Sequence, residues 1–345
     1  IELSQDPCPN FRRLYSQYSS GELTVPACGA GTANVEFEVL TGLSVKFFGP
    51  GEYPYKAVLT EKTGESLAYD LDSIGYTSHA IHNHRAVFYN RNTVFANMGF
   101  DTFTSLEYMQ NVVKTPKNWA KDNVLTGCIK DALDSTEGRD MIYTISVQGH
   151  GKYPSEKVIE NPKIEVLSAP TEELKWKYEY YVNQVYEMDE FIGQLTEELA
   201  KRDEPTVLVM YGDHIPAIDI TEDDLENGNL YGTQYIIWNN FGMVKDDENL
   251  HSYQLAAHVM DMLDMQVGTI FTYQQNHKNS ETYLADLKAL GYDMLYGKYY
   301  IYGGTNPFKP TKLKMGVKDI KIDEVVKIGE RYYIKGQNFT QYSKV

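Results

Sequence analysis

Residues 206–214 read TVLVMYGDH, an apolar run that stops at a glycine, an aspartate and a histidine. Such a run is typical of a strand buried on both faces of a sheet. Two other predicted strands also end in polar loops, 76–81 before an HNH loop and 141–147 before a QGH loop. Because helices alternate with these strands, the sequence predicts an α/β fold with a mostly parallel central sheet, helices on both faces and a site at the carboxyl ends of the strands.

The composition is that of a folded, acidic protein. With 345 residues, 42% of them hydrophobic, the chain is long enough for one large α/β domain and a small appendage. A formal charge of −16 without a Lys/Arg cluster argues against a nucleic-acid partner and against an anionic-membrane surface. Cys8, Cys28 and Cys128 lack CxxC spacing, so neither a thiolate zinc site nor a disulfide scaffold is predicted. A single disulfide between two of them is an alternative that the sequence does not decide.

Helix signals fall between the strands. Apolar spacing, with glycine or proline at the ends, predicts helices over 9–15, 32–40, 65–74, 92–98, 122–134 and 170–201. Asp122 is the predicted cap of the fifth of these helices. After about residue 312 the pattern changes to short β runs with a Gly329-Glu turn, which predicts a small β module that is cut off at residue 345.

The segment 28–37, CGAGTANVEF, places Thr32 directly after a glycine-spaced turn where a helix begins. Backbone N–H groups at a helix start favour an anion, and a nearby metal lowers the pKa of a hydroxyl group. Thr32 is therefore a candidate nucleophile for a phosphate or sulfate ester. The alternative is that Thr32 is a simple N-cap.

Asp213 and His214 are candidate metal ligands, because a carboxylate and an imidazole side by side at a strand end can both reach one divalent cation. The alternative is a hydrogen bond within the loop. A second set of polar residues lies on loops at the same sheet edge: His82, His84, Tyr89, Arg91 and His150. An arginine fork matches phosphate oxygens and a histidine can protonate a leaving alkoxide, whereas the structural alternatives are core histidines and an arginine paired with an acid.

Four motifs, in chain order, carry a resemblance to a known family. They are GAGTANVEFEVLTG from Gly29, FYNR up to Arg91 with NMGFD after it, SVQGH up to His150, and YGDH up to His214. Together they resemble the lipoteichoic acid synthase family, a sulfatase-like branch of the alkaline phosphatase superfamily, over about residues 9–302.

The resemblance implies a sulfatase-like catalytic domain over 1–305, with the β module starting at 312. It implies a phosphoglycerol transferase on the extracellular face of the bacterial cytoplasmic membrane, held by an N-terminal membrane anchor outside this sequence. Such an enzyme moves glycerophosphate from phosphatidylglycerol to an acceptor hydroxyl on a lipid or glycan through a covalent threonine intermediate. Its divalent metal is usually manganese, and magnesium or zinc would also suit the ligands.

Carried over residue by residue, the resemblance implies that Thr32 is both nucleophile and metal ligand, with Asp213 and His214 as further ligands. The residues that would hold the phosphoglycerol group are His82, Arg91 and His150, together with Tyr89, where the synthases usually have tryptophan, and His84, at a more variable place.

One ligand of the family has no counterpart in the sequence. The family has a glutamate at the end of a first strand that precedes the proline-asparagine-phenylalanine helix by more residues than exist here, and Glu2 lies too close to Pro9. We therefore expect the first strand and this glutamate to be missing. The alternative functions are a phosphodiesterase or sulfatase-type hydrolase of the same fold, although a sulfatase normally needs a formylglycine made from Cys or Ser, and a non-catalytic cell-envelope binding module.

Overall fold

The computed structural model describes residues 1–343, which form an α/β fold. The strands are β1 (Glu2–Leu3), β2 (Ser19–Thr24), β3 (Tyr76–His82), β4 (Thr102–Ser105), β5 (Arg139–Ile145), β6 (Val166–Ser168), β7 (Val207–Tyr211), β8 (Gly232–Asn239), β9 (Leu250–His251), β10 (Lys314–Met315), β11 (Lys321–Ile328) and β12 (Arg331–Gln337). The α-helices are α1 (Pro9–Gln17), α2 (Thr32–Thr41), α3 (Pro54–Ala57), α4 (Leu67–Asp72), α5 (Arg91–Asn97), α6 (Asn123–Leu133), α7 (Glu172–Leu199), α8 (Ser252–Met262), α9 (Thr269–His277) and α10 (Tyr283–Leu295).

The first sheet is entirely parallel, in the order β10-β4-β3-β5. His82, at the end of β3, lies opposite Ser105 of β4 and Ile145 of β5. The carboxyl ends of three strands therefore meet at one edge, where the polar loops follow. This arrangement confirms the predicted α/β class with a parallel central sheet and helices.

The second sheet has the order β7-β8-β2-β9 and is mixed. β8 runs antiparallel to both of its neighbours, whereas β2 and β9 are parallel. The predicted strand at 206–211 is present as β7, and its one partner among the described residues is the antiparallel β8.

Two hydrophobic cores flank both sheets. The first core contains Phe37, Phe95, Phe103 and Ile237, and it packs on α2 and α5. The second core contains Leu14, Leu125, Leu195 and Trp238, and it packs on α1, α6 and α7. Each core therefore touches strands of both sheets, so the two sheets lie in one layer covered by helices on both faces.

The C-terminal residues are divided differently from the prediction. β10 pairs in parallel with Thr102–Phe103 of β4, so the first residues assigned to the β module belong to the main sheet. The short β runs predicted after residue 312 form two strands, β11 and β12, which pair as a hairpin. Gly329, with φ at +63°, makes the predicted turn because residues without a side chain adopt this conformation readily.

Two further observations concern the whole described chain. Cys8, Cys28 and Cys128 are all free thiols in the structure. Over residues 1–343, none of the helices has the length and apolar character needed to cross a membrane.

Candidate active site

The glycine turn before α2 sets the position of Thr32. Gly31 is the N-cap, with φ at +113°, and a Cβ atom there would lie 3.1 Å from Cβ of Ala27. Thr32 is the first helical residue and makes no capping hydrogen bond, so the simple N-cap alternative is wrong. The N–H of Gly29 donates to the carbonyl of Ile215 at 3.1 Å, which ties this turn to the loop after β7.

This hydrogen bond brings Thr32 close to the two predicted metal ligands, Asp213 and His214. Oγ1 of Thr32 lies 3.4 Å from Nε2 of His214, and Oδ2 of Asp213 lies 3.4 Å from the same nitrogen. Nδ1–H of His214 donates to the carbonyl of Ile215 at 2.9 Å, so in the neutral ring Nε2 carries a lone pair. A hydroxyl oxygen and a carboxylate oxygen therefore both lie 3.4 Å from one imidazole nitrogen.

These three atoms fit a divalent cation. Two donors bound at about 2.1 Å to a tetrahedral ion lie about 3.4 Å apart, which is the spacing seen around His214. Over residues 1–343, no group of three or more His, Cys, Asp or Glu side chains could hold a metal, so a three-donor site here has to include Thr32. Oxygen and imidazole donors suit manganese, magnesium or zinc.

His82 lies at the end of β3 and is 3% exposed. Its Nδ1–H donates to the carbonyl of Ile145 at 2.9 Å, which leaves Nε2 as an acceptor. Burial, and to a lesser degree the charge of Arg91, lower the pKa of His82 well below the usual value. The ring is therefore neutral at pH 7 and can accept a proton or a hydroxyl hydrogen bond.

The other two histidines lie around a tryptophan. The ring centroid of Trp119 is 4.7 Å from that of His150 and 5.6 Å from that of His84, and the His84 ring is 5.8 Å from His82. Nε1 of Trp119 and Nδ1 of His84 are buried without a hydrogen-bond partner in the described part of the chain. Burial, then the charge of Arg91, lower the pKa of His84.

Arg91 is 1% exposed and pairs with Glu36 of α2. Its Nε lies 3.2 Å and 3.1 Å from the two carboxylate oxygens, and Nη2 also donates to Glu36. The guanidinium lies 5.2 Å from the ring centroid of Tyr89, which has φ at +58°. Burial alone lowers the pKa of Arg91, but the carboxylate of Glu36 more than offsets it and the pKa is raised. The structural alternative, an arginine paired with an acid, is thus what the structure shows.

The comparison with protein families identifies the family of this chain. The family model described as Sulfatase matches residues 1–265. The chain belongs to the sulfatase family. This family is part of the alkaline phosphatase superfamily, whose members generally use a divalent metal.

Two curated relatives of this sulfatase-family chain come from Rhizobium meliloti (strain 1021). A protein named "Putative cyclic beta-1,2-glucan modification protein" is 34% identical over 219 residues, which is 64% of this chain and 33% of that protein. The capsular polysaccharide biosynthesis protein RkpI is 24% identical over 216 residues, 61% of this chain and 37% of that protein. The chain thus spans about a third of the length of the curated relatives it matches.

Solved structures share the fold. The phosphoglycerol transferase GacH of Streptococcus pyogenes, in complex with sn-glycerol-1-phosphate, has a TM-score of 0.77 and 23% identity over 90% of this chain and 85% of that one. The lipoteichoic acid synthase LtaP of Listeria monocytogenes has a TM-score of 0.62 and 19% identity over 79% of this chain and 70% of that one. At these identities the similarity shows the fold.

The candidate site contains residues whose place the sequence analysis did not predict. Glu36 lies within an apolar helix, and an acid at a buried position four residues after Thr32 was a usable signal. Trp119 lies in a loop and had no signal. Asp122 lies at the predicted N-cap position of α6, but its carboxylate makes no capping hydrogen bond and instead accepts from Asn83 at 2.8 Å and from Ser146 Oγ at 2.6 Å.

Proposed function

We propose that this sulfatase-family chain is the catalytic part of a metal-dependent phosphoglycerol transferase. The observation that carries the proposal is that Thr32 Oγ1, at the start of α2, and Asp213 Oδ2 both lie 3.4 Å from His214 Nε2. A hydroxyl in this position is a nucleophile aligned with a helix N-terminus, which favours the anionic oxygens of a phosphodiester.

The proposed reaction has two displacements at phosphorus. A divalent cation held by Thr32, Asp213 and His214 would lower the pKa of the Thr32 hydroxyl and offset phosphoryl charge. Thr32 gives up its hydroxyl proton to a base, Oγ1 forms a bond to phosphorus of phosphatidylglycerol, the bond to the diacylglycerol oxygen breaks, and that oxygen takes the proton. An acceptor hydroxyl then attacks the glycerophospho-threonine, its proton passes to Oγ1, and Thr32 is released.

We propose separate roles for His82 and His150. His82 has Nδ1–H committed to a carbonyl, so its Nε2 can take the proton of an attacking hydroxyl but cannot donate to a phosphate oxygen. His150 is exposed, and its Nδ1–H donates to the carbonyl of Gly151 at 2.6 Å. We assign His82 and His150 to the glycerol and acceptor hydroxyl groups, and Arg91 with Tyr89 to the phosphoryl group.

The acceptor we propose is a hydroxyl group of a cell-envelope glycan. The support is the curated relative whose name refers to cyclic beta-1,2-glucan modification. In this proposal the site works on the extracellular face of the bacterial cytoplasmic membrane, where phosphatidylglycerol is the lipid donor and an anchor outside this sequence holds the protein. In the test below, glycerophosphate found on a lipid instead of on the glucan would favour a lipid-linked acceptor.

A hydrolase of the same fold is the second candidate, because water can replace the acceptor at the second displacement. Thr32 argues against a sulfatase reaction, since a formylglycine is made from Cys or Ser. A binding module without catalysis would need no nucleophile, and it would keep its ligand affinity when the metal is chelated.

The test is incubation of the protein with Mn²⁺, phosphatidylglycerol in mixed micelles and a glucan, followed by mass spectrometry. We expect diacylglycerol, glucan carrying glycerophosphate, and a Thr32 peptide heavier by one glycerophosphoryl group. Free glycerophosphate without modified glucan would indicate the hydrolase. No cleavage with or without chelator would contradict both enzymes.

A further inference from the structure

Glu36 and Arg91 form a buried ion pair beside the proposed nucleophile. The two side chains are 2% and 1% exposed. Burying two charges carries a desolvation cost, and well-packed apolar residues of similar volume often stabilise a fold as well or better. Stability alone therefore does not explain why both charges are present.

The pair fixes the guanidinium from several sides. Glu36 receives Nε–H and one Nη2–H, and the carbonyl of Phe88 receives one Nη1–H at 3.3 Å. The rings of Phe88 and Tyr89 lie 5.8 Å and 5.2 Å from the guanidinium carbon. Of the five N–H donors of an arginine, three are used in this way. Among residues 1–343, the remaining two have no acceptor.

The same pair relates Arg91 to Thr32. Glu36 lies four residues after Thr32 in α2, so the two side chains project from the same face of one helix, one turn apart. Arg91 is the first residue of α5, on a separate part of the chain. The carboxylate thus joins the helix that carries the nucleophile to the arginine.

We propose that Glu36 is a positioning residue, which holds Arg91 at a fixed place relative to Thr32 so that its two remaining N–H groups serve the phosphoryl oxygens of the donor. This inference rests on the proposed function. Because Glu36 neutralises the pair, Arg91 contributes directed donors rather than net positive charge. Donors fixed in advance stabilise the charge that develops in the transition state.

The proposal predicts an unusual kinetic effect for Glu36→Gln. The variant keeps the size of the side chain but makes the site more positive by one charge, so KM for the anionic donor should stay the same or fall. The kcat per folded molecule should fall about 100-fold, the size expected when one preorganised donor is lost. A purely structural role would lower the melting temperature without changing kcat per folded molecule.

Glu38→Gln is the matched control. Glu38 lies on the same helix, is 3% exposed and accepts hydrogen bonds from Ser44 and Ser252, with no contact to Arg91. It should lose stability but keep kcat. An equal kcat loss in both variants, or an unchanged kcat in Glu36→Gln, would overturn the proposal.

Should Glu36→Gln fail to fold, Arg91→Gln and the neutral double variant Glu36→Gln/Arg91→Gln should have the same kcat, because the carboxylate acts through the arginine.

A second measurement does not need turnover. In protein labelled with ¹⁵N-arginine, the Nε–H signal of Arg91 should be a sharp, slowly exchanging resonance that broadens in Glu36→Gln and persists in Glu38→Gln. A sharp signal in Glu36→Gln would refute positioning. If the wild type shows this signal but no phosphodiester cleavage, the proposed function fails while the positioning contact stands.

Discussion

At the scale of single residues, Thr32 makes one side-chain contact of hydrogen-bond length in the structure, the 3.4 Å approach to His214. Thr32→Ala should therefore abolish phosphodiester cleavage and change the free energy of unfolding by less than about 1 kcal/mol, the usual size for a surface change outside the core. Thr32→Ser keeps the hydroxyl and should keep measurable activity. Cleavage near the wild-type rate in Thr32→Ala would remove the nucleophile assignment.

Substitutions of Asp213 and of Arg91 should affect different properties of the protein. Asp213→Asn weakens a metal ligand, so we expect a loss of at least 10-fold in Mn²⁺ affinity with the fold intact. Arg91→Ala should leave Mn²⁺ bound but lose donor turnover, and it should also lower the free energy of unfolding by about 3–5 kcal/mol because Glu36 is left as an unpaired buried charge. Metal titration and urea unfolding of both variants measure this. Equal metal loss in the two would show that the division of roles is mistaken.

At the scale of elements, a buried network joins the loop after β3 to the loop after β5. Asp122 is fully buried and accepts from Asn83 and Ser146, and its backbone N–H donates to Oε1 of Gln148 at 2.7 Å. Burial raises the pKa of Asp122 from 3.8 to about 6, although these hydrogen bonds oppose the shift. Because the network fixes the loops after β3 and β5, it also fixes the positions of His82 and His150.

The raised pKa gives a pH dependence with a definite sign. Between pH 3.8 and about 6 the folded state binds more protons at Asp122 than the unfolded state does, so stability falls as pH rises. The contribution of Asp122 is complete below pH 3.8 and lost above about pH 6. In urea unfolding, the difference between wild type and Asp122→Asn should change by about 2–3 kcal/mol from pH 4 to pH 7. The same change at exposed Asp203 is the control, and parallel curves for wild type and Asp122→Asn would contradict the prediction.

Elements with a local signal were predictable from the sequence. β5 and β7 are short apolar runs, and α2 lies between Gly31 and Gly42, whose positive φ angles stop the helix at each end. β8 and the helices α8 to α10 were not singled out, and the antiparallel pairing of β8 depends on partners far away in the sequence. Thr32 and Asp213 both lie 3.4 Å from Nε2 of His214, and the roles of the three residues stay predictions. An arginine paired with an acid was one alternative in the sequence analysis, but Glu36 could not be named as the partner of Arg91, because the contact between α2 and α5 forms only in the folded molecule.

At the scale of the whole molecule, the central layer of strands is split into two sheets, and the division lies between β5 and β7. Val207, Val209 and Tyr211 of β7 pack on the first core, and so do Met141, Tyr143 and Ile145 of β5. Leu208 and Met210 pack on the second core, and so does Ile142. The two strands thus alternate toward the same two cores, yet each is the last strand of its sheet in the described chain. The hydroxyl groups of Tyr143 and Tyr211 meet across the division at 2.5 Å.

We propose that this division is the place for the first strand and the glutamate ligand that the sequence analysis expects. Neighbouring strands lie about 4.8 Å apart, so a strand between β5 and β7 would satisfy the open edges of both. All five residues of β7 are only partly buried, which agrees with an uncovered edge. A carboxylate arriving there would be a fourth donor for Thr32, Asp213 and His214.

The comparison that tests this is between the 345-residue polypeptide and one in which a glutamate-bearing strand precedes Ile1. The longer polypeptide should bind Mn²⁺ at least 10-fold more tightly, because a negatively charged ligand is added. It should also melt at a higher temperature, and the amide hydrogens of β5 and β7 that face the division should exchange more slowly, because they gain partners. Equal metal affinity together with unchanged exchange in β5 and β7 would mean that the two sheets are separate as they stand and that the metal site needs no further ligand.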